Sequence, residues 1–190
     1  MKKKNPSLSK PKARPIVQPD DGLPGKKVLF PIVGIGASAG GLEAYRELLQ
    51  HVPGDIGMGF VLVQHLAPKH ESALSELLSR FIKIPVAEVK DGMAVEPNHV
   101  YVIPPNMDMV ILGGILRLTP RSMMLGQHMP IDYFLRSLAT DRGTQAIGVI
   151  LSGTGSDGTL GMKAIKAEGG ITLAQDVETA KYPDMPRSAA

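Results

Sequence analysis

Three residues stand out for the chemistry they could do together. Gly36-Ala37-Ser38-Ala39-Gly40 has the G-x-S-x-G form of a nucleophile elbow, in which small neighbours let the chain turn sharply and leave a serine hydroxyl exposed. The helix that should follow would turn free N–H groups and a positive dipole end toward an oxyanion forming there. His65 closes an apolar run that ends in Val63 and Gln64, and an imidazole at that place suits a general base for a serine. Asp157 sits in the glycine-rich stretch from Leu151 to Gly158, where it would hold the imidazole in one tautomer and stabilise the imidazolium. The chemistry of such a set is acyl transfer from an ester or amide to serine, then to water. The chain order Ser, His, Asp differs from that of the common α/β-hydrolases and of the trypsin and subtilisin types, which points to a separate serine-hydrolase family.

Each residue also has a plainer reading. Ser38 in this setting serves equally well as a helix N-cap. A lone histidine is more often a solvated or capping residue than a base, and His128, just before a helix opening at Met129 and Pro130, is the second candidate. An Asp before Gly is usually a turn former. A sharper competitor is the dinucleotide fingerprint G-x-G-x-x-[G/A], which Gly34-Ile35-Gly36-Ala37-Ser38-Ala39 also satisfies. That reading calls for an acidic residue at the end of the second strand to hold a ribose. The run ends in Gln64 and His65, with no acid before Glu71, so the dinucleotide reading ranks lower.

The elements that must position these residues follow from hydrophobic periodicity. Val28 to Ile35 is almost continuously apolar, as a strand buried on both faces would be, and Leu42, Tyr45, Leu48 and Leu49 then recur at helical spacing. Gly59 to Gln64 is a second buried strand, followed by a helix stripe of Ala73, Leu74, Leu77 and Leu78. Short strands are expected at 86–89, 99–103, 109–112 and 115–118, the last two joined at Gly113 and Gly114 as a hairpin. A helix over 131–140, a buried strand over 146–151, a helix over 160–168 and a strand over 171–174 complete the pattern. The alternation predicts a doubly wound, mostly parallel α/β sheet with helices on both faces and an antiparallel hairpin at one edge. Such a sheet brings the carboxyl ends of its strands to one crevice, where Ser38, His65 and Asp157 would meet.

Composition limits the alternatives. With 190 residues and 43% hydrophobic content the chain should bury one core. It has no cysteine, which excludes disulfides, thiolate metal sites and a cysteine nucleophile, and fits a reducing cytoplasm. Residues 1–29 hold eight Lys or Arg against two Asp, while the whole chain is only +3, so the remainder is net acidic. That distribution and the 4% aromatic content do not indicate a nucleic-acid enzyme. Residues 1–28, basic and rich in proline, are expected to be a disordered tail, with 29–190 as the folded domain. No apolar run is long enough to span a bilayer, so no membrane insertion is expected.

Four blocks in order resemble the catalytic domain of the chemotaxis methylesterase family, CheB. They are Val33 to Gly41; Gln64 and His65 with Pro68 and His70; Leu151 to Gly158; and Met185 to Ala189. The resemblance covers nearly all of residues 29–190. It implies hydrolysis of glutamate γ-methyl esters on the cytoplasmic helices of chemoreceptors, with release of methanol, and in some members deamidation of glutamine. It puts the catalytic triad at Ser38, His65 and Asp157, with oxyanion donors in the Ala39 and Thr154 backbone, site-forming glycines at Gly36, Gly40 and Gly41, and no metal or other cofactor. Ala39 stands where a threonine often follows the nucleophile, and Thr154 where a methionine is common. The stretch His128 to Phe134 looks more like the methylesterase module of fused methylesterase–methyltransferase sensory proteins, which makes a methyltransferase domain in the same polypeptide an expected partner. No receiver domain fits within residues 1–28, and the sequence stops inside the helix that Met185 begins, so a longer polypeptide is expected. The competing reading from another class is a non-catalytic module that keeps the fold and uses the crevice to bind a partner.

Overall fold

The computed structural model describes residues 29–64, 74–121 and 128–190. The basic tail, His65 and Ala73 lie outside the described residues. Strand β1 (Ile32–Ala37) leads into helix α1 (Gly41–Leu49), and β2 (Gly59–Gln64) is followed by α2 (Leu74–Ser79). Short strands β3 (Val86–Glu88), β4 (Met93–Ala94) and β5 (His99–Val102) precede the hairpin of β6 (Met107–Leu112) and β7 (Ile115–Pro120). Then come α3 (Pro130–Arg142), β8 (Ala146–Ile150), α4 (Thr159–Ala167), β9 (Ile171–Ala174) and α5 (Asp184–Ala189).

The main sheet has six strands in the order β3-β5-β2-β1-β8-β9, and every pairing in it is parallel. Both of its faces are covered, because side chains alternate across a strand. In β1, Val33, Ile35 and Ala37 join Tyr45, Leu49 and Leu78 in a core on the α1 and α2 side. Ile32 packs on the other side with Phe134, Leu135, Leu138 and Ile165 from α3 and α4. Gly34 lies on that second face, where a Cβ would come within 2.6 Å of Leu135 and 2.9 Å of Leu138. Its missing side chain is what lets α3 lie so close against the middle of the sheet. The first glycine of the supposed dinucleotide fingerprint is thus accounted for by helix packing rather than by a pyrophosphate.

The doubly wound architecture with helices on both faces is the one expected. The hairpin is present too, but β7 pairs with β4 in a separate three-stranded antiparallel sheet, β4-β7-β6, instead of extending the parallel one. Met109, Ile111 and Leu116 explain the separation: they are buried in the core beneath α3, so the hairpin is held by its apolar face rather than by its edge. The two-residue strand β4 carries no periodicity of its own and was not legible in the sequence. The helix stripe also differs in one place, since Leu48 is exposed while Gly41, Tyr45 and Leu49 face inward. Buried Tyr45 ties α1 to the sheet by donating its hydroxyl proton to the Val63 carbonyl at 2.9 Å.

Candidate active site

Strand β1 runs between β2 and β8, with Ala37 paired to Gln64 and Gly36 to Ile150. The chain moves from β1 to β2 on one side and later returns to β8 on the other. The carboxyl end of β1 is therefore the point where strand order reverses, the usual place for a ligand in an open α/β sheet. Ser38 follows that end directly. His65 is one position past Gln64 in the chain and lies outside the described residues.

Ser38 is half-buried, and its main chain is fixed on both sides. Its N–H donates to the Ser152 carbonyl at 3.0 Å, and its carbonyl accepts the Gly41 N–H at 2.9 Å. The N-cap of α1 is Gly40, in the left-handed region at φ 74°, and no side chain caps the helix, so the Ser38 hydroxyl is not spent on capping. Among the described residues, neither the Ala39 N–H nor the Thr154 N–H has a hydrogen-bond partner, which leaves both free to donate to an oxyanion. The three site glycines make room for protein atoms. A Cβ at Gly36 would strike Ile131, one at Gly40 would meet Ser152 Oγ at 2.8 Å and the Lys181–Tyr182 segment at 3.3 Å, and one at Gly41 would press on Ala37.

A residue without any assigned role in the sequence holds this corner together. Ser152 is buried just after β8. Its hydroxyl donates to the Ala39 carbonyl at 2.9 Å and accepts the Tyr182 N–H at 3.0 Å, while its own N–H donates to Gln175 Oε1 at 2.8 Å. It thus links the serine turn, the end of β8 and the segment before α5. That segment packs closely as well: a Cβ on Gly153 would lie 2.1 Å from the Met185 sulfur and 3.0 Å from Ser38 Cβ. Ser152→Ala removes both hydroxyl bonds and leaves a part-buried carbonyl and amide without these partners. It is expected to lower stability by about 1–3 kcal/mol in a denaturant titration, with a fall in turnover as the serine turn loosens.

Asp157 is buried at 2% exposure, and both carboxylate oxygens accept backbone N–H groups at the start of α3. Oδ2 takes Ile131 N–H at 3.0 Å and Oδ1 takes Asp132 N–H at 2.9 Å. The turn-former reading is therefore too small: this carboxylate caps a helix that comes from another part of the chain. Asp132 returns the arrangement, its Oδ1 accepting Gly161 N–H at 2.7 Å in the first turn of α4. Burial pushes the Asp132 carboxyl above the ordinary carboxylate range, the Gly161 amide draws it back, and the neighbouring Asp157 charge adds to the rise. The sign for stability follows. The folded state holds this proton more tightly than the unfolded state, so stability is greatest below the unfolded value and falls as pH climbs through the raised folded value. Asp132→Asn is expected to flatten that decline in urea titrations made between acidic and neutral pH. The sequence signal for Asp132 was an acid two positions after Pro130 in a helix's first turn.

His128, the second histidine candidate, stands before α3 with Nε2 2.6 Å from Asp108 Oδ1, and both side chains are largely buried. Among the described residues no three His, Asp or Glu side chains converge as metal ligands would. A cleft of about 520 Å³ opens on the α1 face of β8 and β9, touching Gly40 and Ser152 without including Ser38. No helix among the described residues is long and apolar enough to cross a membrane.

Comparison with known proteins agrees with this geometry. The family model described as CheB methylesterase matches residues 33–190. Protein-glutamate methylesterase/protein-glutamine glutaminase 1 of Geobacter sulfurreducens is 34% identical over 181 residues, covering 92% of this chain and 49% of that protein. A 104.1 kDa uncharacterized protein of Rhodobacter capsulatus is 44% identical over 116 residues, which are 61% of this chain and 12% of that protein. The crystal structure of the Thermotoga maritima CheB methylesterase catalytic domain superposes with a TM-score of 0.77 at 31% identity, over 85% of this chain and 88% of that one. The chain spans about half the length of the curated methylesterases it matches. With the sheet order, the serine turn and the match over residues 33–190 in agreement, the chain belongs to the CheB methylesterase family.

Proposed function

We propose that this chain is a serine-type protein-glutamate methylesterase acting on glutamate γ-methyl esters of chemoreceptor cytoplasmic helices, with glutamine deamidation as a second activity of the same site. Ser38 attacks the ester carbonyl while His65 accepts its proton, and His65 then protonates the departing methanol. Water enters by the same route in reverse, giving the free glutamate and restoring Ser38. Asp157 orients His65 and stabilises the imidazolium. The Ala39 and Thr154 N–H groups hold the oxyanion, each donor being worth about 3–4 kcal/mol at the transition state. The reaction needs no metal or other cofactor. We place it in the cytoplasm, where receptor methylation sites lie.

The observation that supports the reading is a serine turn at the carboxyl end of β1 whose helix has no side-chain cap, next to β8, whose following loop carries the buried, doubly bonded Asp157. The name of the Geobacter relative supports the substrate class. The Rhodobacter protein, of which the matched part is 12%, supports a module embedded in a longer polypeptide, and a methyltransferase is the partner domain we assign. Methanol release from receptor fragments carrying methylated glutamates tests the proposal. Release by the folded wild-type chain and none by Ser38→Ala is the expected result, and no release from folded wild type would overturn it.

A further inference from the structure

The N-termini of α3 and α4 converge on two buried carboxylates, Asp157 on the Ile131 and Asp132 amides and Asp132 on the Gly161 amide. Each helix N-terminus carries roughly +0.5 of an elementary charge, so two of them bring about +1 to this spot. One carboxylate would do little more than cancel that. A histidine oriented by Asp157 would then face almost no net negative charge, and the imidazolium formed during acyl transfer would gain little from its partner.

We infer that Asp132 is a positioning residue for the esterase reaction, its negative charge offsetting the two helix ends so that the charge of Asp157 stays available to the catalytic imidazolium. The inference rests on the triad reading proposed above. Asp132 is 5% exposed, and among the described residues its Oδ2 has no hydrogen-bond partner, although the Leu160 and Gly158 amides as well as Gly161 draw on the carboxylate. One oxygen suffices for the Gly161 amide, and asparagine or serine would supply it without a buried charge. A buried charge costs stability relative to a neutral acceptor, and what the charge adds here is negative potential at the two helix starts. Its place in the first turn of α3 also sets it directly beside the amides that grip Asp157.

Among the described residues, the other ionisable groups on elements packed around the pair include Tyr133 and Arg136 on α3. His128 with Asp108 stands ahead of α3, Lys163 and Lys166 lie on α4, and Asp184 with Arg187 is on α5. Asp141 and Arg142 pair at the far end of α3. None of these supplies a second negative charge at the two helix starts, since Asp108 is engaged with His128.

Asp132→Asn keeps an acceptor for the Gly161 amide and removes the charge. In the full chain, its kcat/KM for methanol release is expected to show an acid limb about one pH unit below that of wild type, the scale of a charge–charge interaction at an effective dielectric near 20. The same loss should lower plateau kcat about tenfold while KM stays within about twofold. Should the asparagine variant fail to fold, Asp132→Ser makes the same prediction. An acid limb that does not move, or moves up, overturns the inference even if turnover falls, because a purely structural cap would not shift the profile downward. Asp157→Ala measured alongside separates the two ideas. Full turnover in that variant overturns the triad reading itself, whereas lost turnover there with an unmoved Asp132→Asn profile overturns only the role of Asp132.

Discussion

Ser38→Ala is expected to bring methanol release down about 10⁶-fold, to the level left by binding and the oxyanion donors alone. The size follows from the chemistry, since without the hydroxyl there is no acyl-enzyme and His65 has only water to activate. The fold should be untouched. The Ser38 main chain is held by the Ser152 carbonyl and the Gly41 amide, neither of which depends on the side chain. Ala37 and Ala39 on either side show that a methyl group suits this turn. Unchanged unfolding with lost turnover, read by denaturant titration and methanol assay on the same preparation, is the expected pair of results. Comparable turnover in the variant would remove Ser38 from the mechanism.

Asp157→Asn should do damage of two kinds at once. Both carboxylate oxygens accept from backbone N–H groups, so an asparagine must turn its own NH₂ toward either Ile131 or Asp132 N–H, donor against donor. A buried amide left without an acceptor costs about 1–3 kcal/mol, which a urea titration should read as a lower midpoint at an unchanged slope. Turnover should fall further than the fold does. In a serine triad the same exchange costs about 10⁴-fold, because the imidazole is no longer held in the tautomer that accepts the serine proton. Loss of stability with full turnover would make Asp157 a helix cap and nothing more.

Much of this was legible in the chain because burial on both faces leaves a plain record. Residues 32–37, 59–63 and 146–150 are apolar runs without polar interruption, as central parallel strands must be, and the amphipathic stretches between and after them became α1, α3 and α4. The serine turn was readable for a local reason, since a sharp strand-to-helix turn needs small residues and Gly36 to Gly41 has no bulky one. Gly34 shows the limit of such reading. The same local pattern fitted a nucleotide site, and only the approach of Leu135 and Leu138 explains why no side chain is tolerated.

The residues that were not legible act across long stretches of chain. Ser152 meets Ala39, 113 positions away, and Asp157 meets the start of α3 from 26 positions beyond it. No periodicity or spacing announces such pairs, since hydrogen bonds to distant backbone amides are satisfied only after the sheet has set the separation of its strand ends. The types of residue available for catalysis, and the strands and helices that carry them, were already settled by local pattern and burial. Which carboxylate caps which helix, and therefore where negative charge stands relative to the serine, was settled by the packing of α3 and α4 against the sheet, because charge and helix dipole interact through space rather than along the chain.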